Sequence, residues 1–88
     1  MPDPTDTLLS ERAKTHGRFE DNARISQNIK DIFHGERAYH SMTNVQKEAL
    51  DCIALKLCRI LSGQGGYADH WDDIAGYAQL ASKAIKEK

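Results

Sequence analysis

Asp69-His70-Trp71-Asp72-Asp73 crowds three carboxylates and an imidazole into the start of a predicted helix, which then turns apolar through Ile74 and Tyr77. Carboxylates there can hold a divalent cation. They can equally cap the helix, whose orphan N–H groups and positive dipole end favour Asp whatever the function. Lys56 and Arg59 stand one turn apart near the C-terminus of the preceding predicted helix, where the dipole also favours cations. If they face the acidic cluster, the pair suits either a phosphate ligand or a salt bridge to Asp73 or Asp69. The same charges serve only one of these at a time.

Two further groupings bear on that choice. Glu48 and Asp51 repeat an acidic i,i+3 spacing, as Asp69 does with Asp72 and Asp73. Such spacing puts oxygens one turn apart on a face, which fits a Mg²⁺ that keeps its waters and takes other ligands from phosphate. Glu48, Asp69 and Asp73 are the candidate metal set, with N-capping and a charged first turn as the plainer readings. Asp73 sits at the edge of the apolar face beside Tyr77, Leu80 and Ala84, so it needs a cationic partner. Nearer the N-terminus, Arg12, Lys14, His16 and Arg18 form a polar cluster around Gly17. Arg12 and His16 are candidate anion ligands, although a cap at the C-terminus of a first helix is the favoured reading of His16. The Gly63-Gln64-Gly65-Gly66 run lacks the lysine and preceding strand of a phosphate-binding loop, so it reads as a linker.

These groups are placed by helices. Residues 1–6 contain both prolines and read as a flexible arm, with residues 7–88 as one helical domain. A short helix is predicted over Leu8 to His16, with Gly17 as a left-handed stop. A second, from Phe19 to Phe33, shares one face among Phe19, Ala23, Ser26, Ile29 and Phe33, and Gly35 ends it. Residues 34–42 read as a polar connector. Thr43-Asn44-Val45-Gln46 has capping-box spacing and opens a third helix over 44–62, with Leu50, Ile53, Leu57, Ile60 and Leu61 as its apolar stripe. The fourth runs from Asp69 to Lys86, with Ile74, Tyr77, Ala78, Ala81 and Ile85 on its apolar face. No strand-period segment occurs. The expected fold is all-α, a small bundle of three to four helices.

On the third helix, Glu48, Cys52, Leu55 and Arg59 fall opposite the main stripe, at about 100° per residue. A helix apolar on two sides is either central in its domain or buried against another subunit. Four short helices wrap a central one poorly, so completion by oligomerisation is expected.

Composition narrows the function. The 88 residues are 40% hydrophobic and 28% charged, with a net charge of −1, which fits a small globular chain and disfavours extended nucleic-acid binding. No apolar run is long enough to span a membrane. The acidic start, Met1 to Asp6, does not read as a secretory signal. Cys52 and Cys58 are six residues apart in one predicted helix, about 9 Å along its axis, too far for a disulfide between them. They read as reduced thiols of a cytoplasmic protein.

Arg12, His16-Gly17 and Phe19, then Lys56-x-x-Arg59-Ile60-Leu61-Ser62-Gly63, then Asp69 through Tyr77, together resemble a family of small phage and prophage helical proteins. That resemblance covers residues 10 to 82. More distantly, the pattern is similar to phage nucleotide-modification-associated proteins and to MazG-like all-α nucleotide pyrophosphohydrolases. It implies oligomeric helical bundles that hold Mg²⁺ at a nucleoside triphosphate through Glu-Glu-x-x-Glu on one helix and Glu-x-x-Asp on the next. Asp73 matches the final Asp, His70 stands where its Glu partner would be, and Glu48 and Asp51 give a shortened acidic pair. A bundle with the pocket but without these ligands would bind nucleotide without hydrolysing it.

The leading expectation is therefore a cytoplasmic phage-type protein of a bacterial host that binds a nucleotide or cyclic nucleotide as a homo-oligomer. Lys56 and Arg59 would meet phosphates, Arg12, His16 and His70 would complete the anion site, and Trp71 or Tyr77 would stack on a base. No cofactor is required, with Mg²⁺ as an optional addition. A Mg²⁺-dependent pyrophosphohydrolase and a protein-interaction module acting on a host or phage protein are the alternatives.

Overall fold

A reciprocal cap starts the central helix. The Thr43 hydroxyl accepts from the Gln46 backbone N–H at 3.2 Å, and the Gln46 side chain accepts from the Thr43 N–H at 2.9 Å. This is the capping box expected from the spacing. The computed structural model describes residues 17–87. It contains α1 (Phe19–Gly35), a single turn α2 (Arg37–His40), α3 (Asn44–Arg59) and α4 (Ala68–Lys86), with a widened turn Ile60–Gln64 between the last two. The described residues contain no strand. None of the described helices is long and apolar enough to cross a membrane. The helix expected over Leu8 to His16 and the arm at 1–6 lie outside the described residues.

Glycine geometry marks the exit from α3 and the entry to α1. Gly63 has φ +115° inside the widened turn, a conformation that side chains resist, and α-helical pairing ends at Arg59 rather than at residue 62. Gly17 has φ +78°, and a Cβ there would collide with the Ser62 side chain. Ser62 in turn donates to Asn22 Oδ1 and to the Arg59 carbonyl, both at 3.1 Å. The entry to α1 is thus fastened to the exit from α3.

The polar connector contains an unforeseen anchor. Tyr39 is buried, stacks on Phe33 at a 5.5 Å centroid distance, and donates its hydroxyl to Asp51 Oδ1 at 3.0 Å. Burial and that carboxylate push the phenol's pKa up, so it stays a donor at neutral pH.

α3 lies between α1 and α4, packing on both, while α1 and α4 make little direct contact. Both neighbours run antiparallel to it. Lys56 is level with Asp73 and Cys52 with Tyr77 on α4, whereas Ser62 is level with Asn22 and Cys58 with Ser26 on α1. The three helices form a layer. Its centre is lined by small side chains, because Ala49, Ala54 and Cys58 are the buried residues of α3.

This corrects the expected core. The Leu50, Ile53, Leu57, Ile60 and Leu61 stripe fits helical periodicity, yet Leu57 and Leu61 remain 36% and 66% exposed. Alanine and cysteine occupy the flanks, where helices must approach closely, so the larger residues fall between the two flanks. The opposite side is divided: Cys52 faces Tyr77 of α4, whereas Leu55 remains 45% exposed.

Rotation by about 100° per residue then assigns the two sides of the layer. One carries Glu48, Arg59 and Asp73, with Leu55 and Leu80 among them. The other carries Ile25, Ile29 and Ile32 of α1, Leu50, Ile53 and Leu57 of α3, and Ile74, Ala78 and Ile85 of α4. Trp71 stands at its rim and donates its indole N–H to the Gly65 carbonyl at 2.8 Å.

Candidate functional site

Polar side chains gather where α3 meets α4. Lys56 Nζ lies 2.9 Å from Asp73 Oδ2, with the lysine side chain only 12% exposed and the carboxylate 46%. Asp73 is therefore paired, as its place at the apolar edge requires. The Lys56 hydrogen bond holds its carboxyl below the usual carboxylate range against a smaller opposing effect of burial, helped by Lys56, His70 and Arg59 charges. At neutral pH Asp73 is an anion committed to an ammonium, a poor general acid or base.

One turn further along the seam, the Tyr77 hydroxyl is hydrogen-bonded to Cys52. The Cys52 thiol donates to Glu48 Oε1 at 3.6 Å. Burial first, then that carboxylate, raises the thiol's pKa. Tyr77 is raised first by facing Cys52 and then by burial. Both are protonated at neutral pH, so Cys52 is not a thiolate nucleophile. Cys58, on the other flank, is pushed up mainly by its complete burial.

Arg59 is half-buried beside Asp73 and Tyr77, close enough to lower the pKa of each. The structure thus brings together Lys56, Arg59, Asp73 and Tyr77. Two cations a turn apart share one carboxylate, with an aromatic ring beside them.

The other candidates fall elsewhere. His70 is 2% exposed and packs edge-on against the Tyr67 ring at 4.9 Å, so it supports the end of the seam from inside. Asp69 accepts from the Tyr67 hydroxyl, whose pKa it raises. Trp71 lies about 120° around α4 from Tyr77, so the two rings cannot flank one base. Arg12 and His16 lie outside the described residues.

The acidic cluster is not an N-cap either. Tyr67 holds that position without a side-chain cap hydrogen bond, leaving Asp69 inside the first turn and Asp72 and Asp73 beyond it. As for the metal set, antiparallel packing separates it. Asp73 is level with Lys56, so Asp69 is level with about residue 60, some 18 Å along α3 from Glu48. Glu48 cannot share an ion with Asp69. Among the described residues, no group of three His, Cys, Asp or Glu side chains is placed to hold a metal ion. Asp51, the other acidic residue of α3 considered, is taken by Tyr39.

Sequence reasoning missed the Glu48–Cys52–Tyr77 chain and the Tyr39 anchor. The i,i+4 spacing of Glu48 and Cys52 was visible, but their link to Tyr77 depends on the register between helices. For Tyr39, the available signal was a large aromatic in an otherwise polar stretch, six residues after Phe33.

Fold and seam together define an all-helical protein with an ion-paired interhelical seam. Residues 3–85 match the family described as "Domain of unknown function (DUF6378)", and the chain belongs to that family. Neither a curated protein nor a solved structure gave a significant match.

Proposed function

We propose that this protein is a non-enzymatic binder of a nucleotide or related phosphate ligand, acting as a homo-oligomer. The observation that carries this reading is the half-buried Lys56–Asp73 ion pair between α3 and α4, with Arg59 one turn away and close enough to act on the same carboxylate. Phosphate oxygens would contact both cations and exchange with Asp73 at Lys56, while Tyr77 offers a ring one turn along the seam. The resemblance to phage nucleotide-associated proteins supports the same ligand class. Two uses follow for a phage protein in a bacterial cytoplasm: altering nucleotide pools, or sequestering cyclic nucleotide signals of host defence. Each needs affinity and no chemistry.

Catalysis is the weaker reading because its parts are committed elsewhere. Asp73 is bound to Lys56, Cys52 is held as a thiol, and Glu48 stands far from Asp69. Mg²⁺ would then arrive, if at all, with the nucleotide.

Calorimetric titration with nucleoside triphosphates and cyclic dinucleotides, with and without Mg²⁺, tests this. Binding should weaken with added salt. Arg59→Ala should weaken it by about ten- to a hundredfold, the loss of one charge-assisted phosphate contact of roughly 1.5–3 kcal/mol. Pyrophosphate release should stay near background. Robust Mg²⁺-dependent release, abolished by Asp73→Asn, would falsify the binder reading in favour of an enzyme. No binding of any of these ligands would also overturn it.

A further inference from the structure

The layer has one side whose helical stripes carry a single ionisable group, Asp21 in the first turn of α1, where it pairs with Arg24, and we infer that this side is the interface with a second copy of the chain. This deepens the homo-oligomer part of the reading above, by naming the surface, and leaves the ligand part untouched. Ile32 of α1, Ile53 and Leu57 of α3 and Ile74 and Ile85 of α4 share that side. Ile32 and Ile85 are 66% and 54% exposed. A stable helical domain packs elements in at least two layers around a core. Here residues 17–87 supply one layer, and only five of their side chains are buried.

Area and charge select the occupant. α3 and α4 have 16 and 19 residues, lengths of about 24 and 28 Å, and three helices at 8–10 Å spacing span about 20 Å between outer axes. The projected face is about 500 Å². The relief of its side chains brings it toward the roughly 800 Å² per partner of a standard interface. A two-fold contact sets the same patch against itself, so any charge on it meets its own kind near the axis. The isoleucine, leucine and alanine stripes put no charge near such an axis, since Asp21 lies at the end of α1 and is paired with Arg24, whereas the opposite side carries Lys56, Arg59, Glu48 and Asp73 at its middle. The dimer is then two layers thick, with its apolar sides together and the two seams opening outward.

Trp71, the only tryptophan, stands at the rim and is 53% exposed in the single chain, which makes it a reporter of this contact. Sedimentation of the full chain at tens of micromolar should give twice the 9.9 kDa chain mass. Dilution through the dissociation constant should red-shift Trp71 emission and increase its quenching by acrylamide. Ile32→Glu and Leu57→Glu should each weaken dimerisation tenfold or more. Leu55→Glu, on the opposite side, should leave it unchanged. Ile32 is exposed enough for its variant to fold, and the dilution experiment needs no variant. A 9.9 kDa monomer with concentration-independent emission overturns the proposal. So does a dimer broken by Leu55→Glu and not by Ile32→Glu, or an apolar side found covered by a different protein. An Ile32→Glu monomer that still binds triphosphate separates this inference from the ligand reading.

Discussion

The two flanks of α3 solve the same packing problem with different chemistry. Toward α1, Ala54 and Cys58 allow close approach, and the polar contacts are neutral or locally satisfied: Ser62 with Asn22, Tyr39 with Asp51. Toward α4, an ammonium, a guanidinium and a carboxylate occupy the seam. Ion pairs are weak sources of stability when partly solvated, and costly when one member is removed from a covered site. The α1 flank is therefore held by neutral or locally satisfied polar contacts, and the α4 flank by a charged pair with a second cation beside it.

The largest effect that should separate them is Tyr39→Ala. It removes the stack on Phe33 and leaves Asp51 without its donor, so its melting temperature should fall further than for any single replacement of Lys56, Asp73 or Tyr77. Tyr39→Phe, which keeps the stack, should fall much less. If the alanine variant melts like the wild type, the α1 flank is not the stabilising one.

Gly17→Ala comes next. An L-residue held in the left-handed region costs about 1–2 kcal/mol, and the methyl must also displace Ser62. Urea unfolding should show a loss of at least this size, with phosphate-ligand affinity retained. Lost affinity at unchanged stability would mean that the two flanks are not separate.

The smallest effect concerns Asp73. Asp73→Asn should lower the melting temperature at pH 7 by a few degrees, whereas exposed Asp72→Asn should not change it. The sign of the pH dependence follows from the lowered folded-state value. The pair's contribution is fully present above the unfolded carboxylate value near 4, and it is lost as pH falls through the lower folded value. Wild type and Asp73→Asn should therefore differ at pH 6 and converge as the pH falls through that lowered folded-state value. A constant difference down to that pH would show that Asp73 acts through packing rather than charge.

Much of the fold was legible because its signals are local. Thr43 and Gln46 announced the start of α3, Gly35 the end of α1, and the edge position of Asp73 its need for a cation. Nothing local distinguishes a leucine stripe facing a core from one facing outward. That choice was made by Ala49, Ala54 and Cys58, whose small size decides where neighbouring helices can approach. The separation of Glu48 from Asp69 was equally hidden, since it depends on the antiparallel register between helices rather than on spacing within either one.

Cys52 and Cys58 sit on a single helix but face different neighbours, the first half-exposed against α4 and the second wholly enclosed against α1. The native chain thus carries one alkylatable sulfur on each flank. When opening is fast relative to chemistry, labelling at each thiol reports the free energy of the local excursion that uncovers it. The helix pairs can in this way be followed separately in an unmodified protein.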